Sequence, residues 1–517
     1  MADQPADGAP AAAVSQETDF RPLNGTATPP PRSPSPTPRT SRHLAPIPQN
    51  ARILAPDLLR GLLMALMALD HNAMSLGSWP HGTNGDTEGD SMPVTHWNRP
   101  VAYIIRTLTH LCAPGFTLLL GLGVVYFGRS RAALGWSSAR MARHFAVRAA
   151  VLTLVSIVFG LVMTAGQVWF FNIILVALAV DYLLVGLLWL AISSTEPVLA
   201  EVLTPWMPDY VAPENDETTP LLREHNGHIH IATSQVPSRR AASVAWNLHN
   251  LALLVLAGVT TWWNIWMSPT GGHCVPGGPP EPHGGLFWRF WFYNVQKMDF
   301  PGVVSVFPPL AWLSFAILGL LYGRLVIARD GGKPTTSLAT ANIVVGIFFA
   351  ILFVATRLLH FGNLSEDCLQ VADVANVDNP YLASPQAFFY VTKYPPDVAF
   401  SAYTLAVNFL LMGIFTSIPA AWAANYLKPL IVYGTSALFF YIAHILLLFA
   451  VGLPLVMLFG HELDHDDPWG GKPAIGIDSI WGFFGVWLFV MVVLYFLCQR
   501  YSAFKRTKGP DSIWRFF

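Results

Sequence analysis

Windows of about 20 apolar residues recur along this chain between short polar stretches, and that is the length one helix needs to cross a hydrocarbon core of about 30 Å. They fall near residues 55–76, 101–128, 144–165, 168–192, 245–267, 303–327, 339–360, 398–423, 428–459 and 478–500. Inside lipid each backbone N–H and C=O has to find its partner within the protein, which leaves helices for segments of this kind. Only 12% of the 517 residues are charged while 53% are hydrophobic, so a water-soluble globular domain is excluded. The predicted fold is all-α, a polytopic bundle of about ten transmembrane helices.

Charge then orients the bundle. Arg39, Arg42 and Arg52 precede the first window, Arg129, Arg131, Arg140 and Arg143 lie between the second and third, and Arg239 and Arg240 come before the fifth. Arg324, Arg329 and Lys333, then Lys428, then Arg500, Lys505, Arg506 and Lys508 continue the series in every second loop. The intervening loops are acidic, carrying Asp86, Glu88 and Asp90, then Glu366, Asp367, Asp373 and Asp378, then Glu462, Asp464, Asp466 and Asp467. The positive-inside bias predicts that both termini are cytosolic. A net charge of -1 contains no basic domain, so nothing points to nucleic acid.

Residues 1–50, rich in Pro, Ala, Ser and Thr, read as a disordered cytosolic tail with no cleaved signal peptide. Residues 51–505 read as one membrane domain with a flexible cytosolic loop over 193–244, followed by a short cytosolic tail over 506–517. Glu217 with Leu221 and Leu222 looks like an acidic dileucine signal, which favours a vacuolar or lysosome-like membrane over the endoplasmic reticulum or plasma membrane; an incidental Leu pair in a solvated linker is the plainer reading. Cys274 and Cys368 lie in two non-cytosolic loops, where a disulfide between them can persist or both can remain free thiols. Cys112 and Cys498 sit in apolar helices and read as packing residues.

Four ionisable residues stand inside the first window: Asp57, Arg60, Asp70 and His71. Each costs about 2.5–3.5 kcal/mol at membrane depth on insertion scales, so such groups normally face a bundle interior or a wet cavity. Arg60 and His71 are eleven residues apart, about three turns, and so share one face roughly 16 Å apart along the axis. An Asp57–Arg60 pair that only locks helices, with His71 at the interface, is the competing reading. Asp70 adjoins His71 in sequence, and adjacent helix residues do not face each other, so His110 or Asp57 is expected to orient His71 instead. In the second window Arg106 and His110 precede Cys112, Ala113 and Pro114, which suggests a kinked helix in close contact with a neighbour, where His110 would meet His71. His444, one turn after Tyr441, is either a further pocket residue or a packing histidine. Lys393 and Tyr394 stand at the entry to the eighth window, before Pro395 and Pro396; they read either as part of the mouth of a site or as a Pro-initiated helix start with a snorkelling Lys.

Several of these segments resemble, in order, the heparan-alpha-glucosaminide N-acetyltransferase catalytic-domain family in its broad microbial form. They are Asp57 to Gly61 with Asp70 and His71; His110 to Phe116 with Gly121; Phe307 to Trp312; Thr392 to Pro396; and Tyr441 to His444. The resemblance spans residues 52 to about 450. The Arg60-to-His71 spacing is also similar to that of the wider membrane sugar acyltransferases. What this implies is acyl transfer across a membrane, from acetyl-CoA or another acyl-CoA in the cytosol to a sugar or other hydroxyl or amine on the far side, with no metal. His71 would act as general base or as nucleophile in an acyl-histidine route, with His110 and Asp57 as supporting groups. Arg60, Arg106 and Arg324 would hold the CoA phosphates. The animal lysosomal enzyme's catalytic histidine lies between the first two helices, where this chain has His81 and His96, and neither matches it by sequence. A proton-coupled transporter or a non-catalytic family member stands as the alternative, although no internal repeat supports the transporter.

Two patterns are set aside. His461 to His465 fits the HExxH spacing, but the residues that follow make a polar loop rather than a metal-binding helix. Asn363 begins a glycosylation sequon that lies too close to the seventh window for modification.

Overall fold

In the computed structural model the residues described are 54–85, 88–209, 237–275, 285–293, 301–330, 336–374, 377–466, 473–509, 512 and 514. The N-terminal tail and the dileucine-like Leu221-Leu222 lie outside them. The long helices are α1 (Ala55–Leu76), α3 (Cys112–Ala133), which is preceded by the ten-residue α2 (Pro100–Thr109), α4 (Ser138–Met163), α5 (Leu175–Leu203) and α6 (Arg239–Met267). After the short α7 (Leu286–Phe292) come α8 (Leu313–Asp330), α9 (Thr336–Leu359), the short α10 (Pro385–Phe389) and α11 (Val398–Ser417). The chain ends with α12 (Ala420–Tyr426), α13 (Lys428–Thr435), α14 (Ala437–Phe459) and α15 (Ile480–Arg506). Among the described residues, nine helical segments are long and apolar enough to cross a membrane. The tenth long helix, α1, is interrupted by Asp57, Arg60, Asp70, His71 and Asn72 and packs against α2, α3, α11, α13, α14 and α15. The protein is thus a helical integral membrane protein built from the ten predicted segments.

Several boundaries differ from the sequence expectation: the fourth and sixth windows open on short strands, their helices starting only at Leu175 and Leu313, and the helix of the eighth window ends at Ser417. The second window is two helices, because Pro114 has no N–H to offer the His110 carbonyl and its ring crowds that group; the break falls at His110–Leu111. The ninth window also divides, at Ser436, into α13 and α14. The long loop is shorter than 193–244, since α5 continues to Leu203 and α6 begins at Arg239, where Ser238 caps it by accepting from the Ala241 N–H at 3.0 Å.

The partition of the loops follows from their mutual bonds. The strand β1 (Phe170–Asn172) pairs in parallel with β2 (Val303–Ser305), and Gly89 bridges Tyr394 as Val94 bridges Leu369. The segments after α1, α4, α6, α9 and α14 therefore share one end of the bundle, which is the end of α1 that carries His71. There Cys274 and Cys368 are joined, with Cα atoms 5.2 Å apart. The HExxH-like segment is not a loop: His461–Asp466 is strand β3, paired antiparallel with β4 (Pro473–Gly476), and Asp464 and Asp478 receive Arg99 at 3.2 and 3.1 Å. Asn363 is buried, and its Nδ2 donates to the Thr356 carbonyl at 3.1 Å.

At the other end α13 lies against the first turns of α1 at backbone contact. A Cβ on Gly61 would stand 1.9 Å from the Leu430 oxygen, and one on Gly434 would stand 2.0 Å from the Asp57 oxygen. Only glycine permits this approach, and it brings the Gly434 carbonyl within 3.3 Å of Arg60 Nη1. A core of Leu58, Leu59, Leu63, Phe315, Phe400, Phe440 and Leu448, each fully buried, joins α1 to its neighbours.

Candidate functional site

The site lies where the last turns of α1 meet α2, α14 and the loops that follow α1 and α9. Asp70 and His71 point to different neighbours, as adjacent helix positions must. His71 Nδ1 is 2.9 Å from His444 Nε2, with the two rings nearly parallel at 14°. His444 Nδ1 is 3.0 Å from the Phe440 carbonyl. A carbonyl only accepts, so His444 carries its hydrogen on Nδ1, and its Nε2 accepts from His71 Nδ1. The neutral His71 ring therefore keeps the lone pair on Nε2. His444 is fully buried, whereas His71 is partly exposed. The imidazole is held in one tautomer by a buried partner and presents its basic nitrogen away from that partner.

Asp70 turns instead to α2. Arg106, 2% exposed, donates from Nη1 to Asp70 Oδ2 at 3.0 Å and grips Glu88 with two bonds, Nε to Oε1 at 3.0 Å and Nη2 to Oε2 at 2.8 Å. This is the paired geometry a guanidinium and a carboxylate form best. Glu88 Oε1 also accepts the Thr83 N–H at 2.8 Å, and the Glu88 carbonyl accepts from Lys393 and Tyr394 at 3.0 and 3.1 Å. Burial raises the cost of the Glu88 charge, but Arg106 beside it more than reverses this and holds the carboxyl well below its usual range. Two charges that are costly alone in this end of the bundle thus stabilise each other, and Glu88 ties two loops to α2.

His81 joins from the loop after α1. Its Nε2 is 2.8 Å from Arg106 Nη1, which can only donate, and 3.7 Å from Asp70 Oδ2. The hydrogen of the neutral ring therefore sits on Nδ1. With 30% of its side chain exposed, this imidazole, like His71, is partly exposed. Burial and the Arg106 charge push its pKa down to about 3. His96, the other histidine of this loop, is exposed and packs over Gly85, outside the cluster.

A pH dependence follows from these two groups. The unfolded chain protonates His81 near its ordinary value of 6.5 and the folded chain only near 3, so across that interval the unfolded state holds more protons and stability falls as pH falls. Glu88 acts in a lower window: its contribution is intact above its ordinary value of 4.5 and is lost only as pH drops through its depressed folded value. The melting midpoint of the purified protein should therefore fall between pH 7 and pH 5, and His81→Gln, which does not titrate, should flatten that slope. An identical slope in the variant would remove His81 from the account.

The other residues singled out in the sequence are placed as follows. His110 does not meet His71. It is fully buried, with Nε2 3.6 Å from Glu88 Oε1 and its ring beside Phe400; the partner of His71 is His444. Asp57 is about four turns from His71 and pairs with Arg60 at 3.0 Å, so neither expected orienting group occupies that position. Arg106, expected from the resemblance to hold a phosphate, lies at the His71 end and gives its donors to Asp70 and Glu88. Arg324 bonds Glu196 at 2.6 Å and Asn250 at 2.8 Å between α5, α6 and α8. Arg60, with 27% of its side chain exposed, remains at the opposite end of α1. Lys393 and Tyr394 are at the site, held on Glu88 through their backbone N–H groups. In the sequence Glu88 is one of the acids of the first acidic loop, and His81 is one of two histidines, with His96, at the place where the resembling family's catalytic histidine lies, neither matched to it; both Glu88 and His81 lie in the loop leaving the helix that carries the buried charges.

No metal-binding group of His, Cys, Asp or Glu occurs among the described residues. No family model matches the chain, and no curated protein matches it.

Proposed function

We propose that this protein is a membrane acyltransferase that takes an acyl group, with acetyl as the first candidate, from acyl-CoA at the Arg60 end of the bundle. The acyl group passes to a hydroxyl or amine of a sugar or other small acceptor at the His71 end. The observation that carries the reading is the His71–His444 pair, which fixes a basic Nε2 at a partly exposed position beside a second imidazole and an arginine–carboxylate cluster. A proton-abstracting histidine needs that arrangement: a lone pair facing the reactant and a partner that prevents the ring from turning.

In this mechanism the acceptor O–H or N–H gives its proton to His71 Nε2 as the oxygen or nitrogen attacks the thioester carbonyl carbon. The C–S bond then breaks, and the CoA thiolate leaves with the proton returned from His71. His81 Nδ1–H, on the other side of Asp70, donates a hydrogen bond to the acceptor. The basic loops at the Arg60 end put acyl-CoA on the cytosolic side by the positive-inside bias, and the acidic end faces a lumen or the exterior. A vacuolar or lysosome-like membrane suits that orientation and the dileucine-like segment. The ordered resemblance from Asp57 to His444 supports the same reaction class.

Arg60 is the arginine assigned to the CoA phosphates. A charge-assisted hydrogen bond contributes about 1.5–3 kcal/mol, so Arg60→Ala should weaken acetyl-CoA binding by about 10–100-fold. Equilibrium binding of radiolabelled acetyl-CoA to the purified protein measures this. Unchanged affinity in the variant would move the phosphate site elsewhere, and no binding by the wild type would defeat the acyltransferase reading.

A further inference from the structure

Among the described residues, Asp70, Glu88 and Arg106 of the site are paired with one another, and Lys393 beside them is not. Lys393 is 6% exposed, yet among the described residues no carboxylate stands within 4 Å of its Nζ. The two carboxylates nearest in kind, Asp70 and Glu88, are committed to Arg106. The ammonium lies over two aromatic faces instead, 5.5 Å from the Phe307 ring centre and 5.1 Å from that of Tyr394. Ring faces attract a cation but do not neutralise it. A snorkelling lysine would extend to the interface, whereas this one is held inward. Its own N–H donates to the Glu88 carbonyl at 3.0 Å, and the Tyr394 carbonyl accepts from Asp90 at 3.1 Å, so the segment is pinned on both sides of the loop that carries Glu88. Asp70, His71, His81 and His110 all lie within electrostatic reach of this ammonium.

We infer that Lys393 is the oxyanion-stabilising residue of the transfer reaction, its ammonium receiving the negative charge that develops on the acyl carbonyl oxygen. The inference rests on the acyltransferase reading and assigns a group to the one charge that reading leaves open. As the acceptor attacks the carbonyl carbon and His71 Nε2 takes its proton, the C=O electron pair moves onto oxygen, where the Lys393 N–H bonds hold it. When the pair returns, the C–S bond breaks and the thiolate leaves with the proton from His71. No other reactant enters. A preformed cation whose charge is not cancelled in the ground state gains most when the oxyanion forms, so its effect appears in the rate rather than in binding.

The test compares wild type with Lys393→Met and Lys393→Arg in steady-state acetyl transfer, with melting midpoints recorded alongside. Methionine keeps the stem against Phe307 and Tyr394 while removing the charge. The expected result is a fall in kcat of about 10²–10³-fold for Lys393→Met, with KM for acetyl-CoA within a few-fold of wild type. Lys393→Arg, which restores a cation, should recover at least tenfold of that loss. A folded Lys393→Met variant whose kcat stays within threefold of wild type, or whose whole loss lies in KM, overturns the inference while leaving the acyltransferase reading in place. A wild type that transfers no acyl group defeats both.

Discussion

Glu88→Ala should lose most of its detergent-stable folded protein, with a destabilisation of about 3–5 kcal/mol, because it strands a guanidinium that is 2% exposed. Arg106 would retain only Asp70 Oδ2 and the His81 ring, and neither replaces the two parallel bonds to Glu88. The loss would spread within the loop after α1, since Glu88 Oε1 also holds the Thr83 N–H, while the backbone carbonyl that anchors the Lys393–Tyr394 segment is kept by alanine. The single change thereby loosens the loop after α1 and α2 together. The cost belongs to the unpaired charge more than to the lost contact. Combining Glu88→Ala with Arg106→Leu should consequently restore part of the stability, the opposite of additive damage. Melting curves of the two single variants and the double variant measure this. A Glu88→Ala protein that melts with wild type would show that the pair is not the tie between loops and bundle.

The second large effect concerns the histidine pair. His71→Ala should lower acyl transfer by about 10²–10⁴-fold, the range a positioned general base supplies, while acetyl-CoA binding at the distant Arg60 end stays intact. In the proposed mechanism His444 acts through His71 and touches no reactant. Its removal should therefore depend on what replaces it. In His444→Ala the His71 Nδ1–H has lost its acceptor, and the ring is free to turn or to move its hydrogen to Nε2. In His444→Gln the side-chain carbonyl oxygen still accepts that hydrogen and should preserve more of the rate. Turnover ranked wild type, His444→Gln, His444→Ala, His71→Ala would express a base oriented by its partner. Equal rates for His444→Gln and His444→Ala would mean that His444 only packs.

The helices were legible because lipid imposes a length and a composition that the sequence has to display, and α1 stood out as a candidate site helix because charge at membrane depth is costly. The break at His110 could be traced to Pro114. What the sequence did not reveal was pairing. His71 and His444 are 373 residues apart, and nothing in either local pattern says that they touch. Arg106 read as a free cation because its counter-charges, Asp70 and Glu88, sit on another helix and in a loop. Glu88 looked like one more acid in a solvated acidic loop, while burial and the two-bond grip of Arg106 make it structural. His81 and His96 were indistinguishable in sequence, and only the folding of the loop sends the first inward and leaves the second exposed. The HExxH-like segment became a strand because β4 is available to pair with it, which a single window cannot show.

Acetyl transfer by the purified protein is the most direct test of the central claim. Wild type, His71→Ala and Lys393→Met would be incubated with radiolabelled acetyl-CoA and a panel of amino sugars and simple sugar alcohols, and release of free CoA thiol and labelled product recorded together. The account predicts stoichiometric thiol and acetylated product from wild type, with His71→Ala binding acetyl-CoA but producing neither above background. Wild-type protein that is folded and monodisperse yet neither binds acetyl-CoA nor releases its thiol would contradict it.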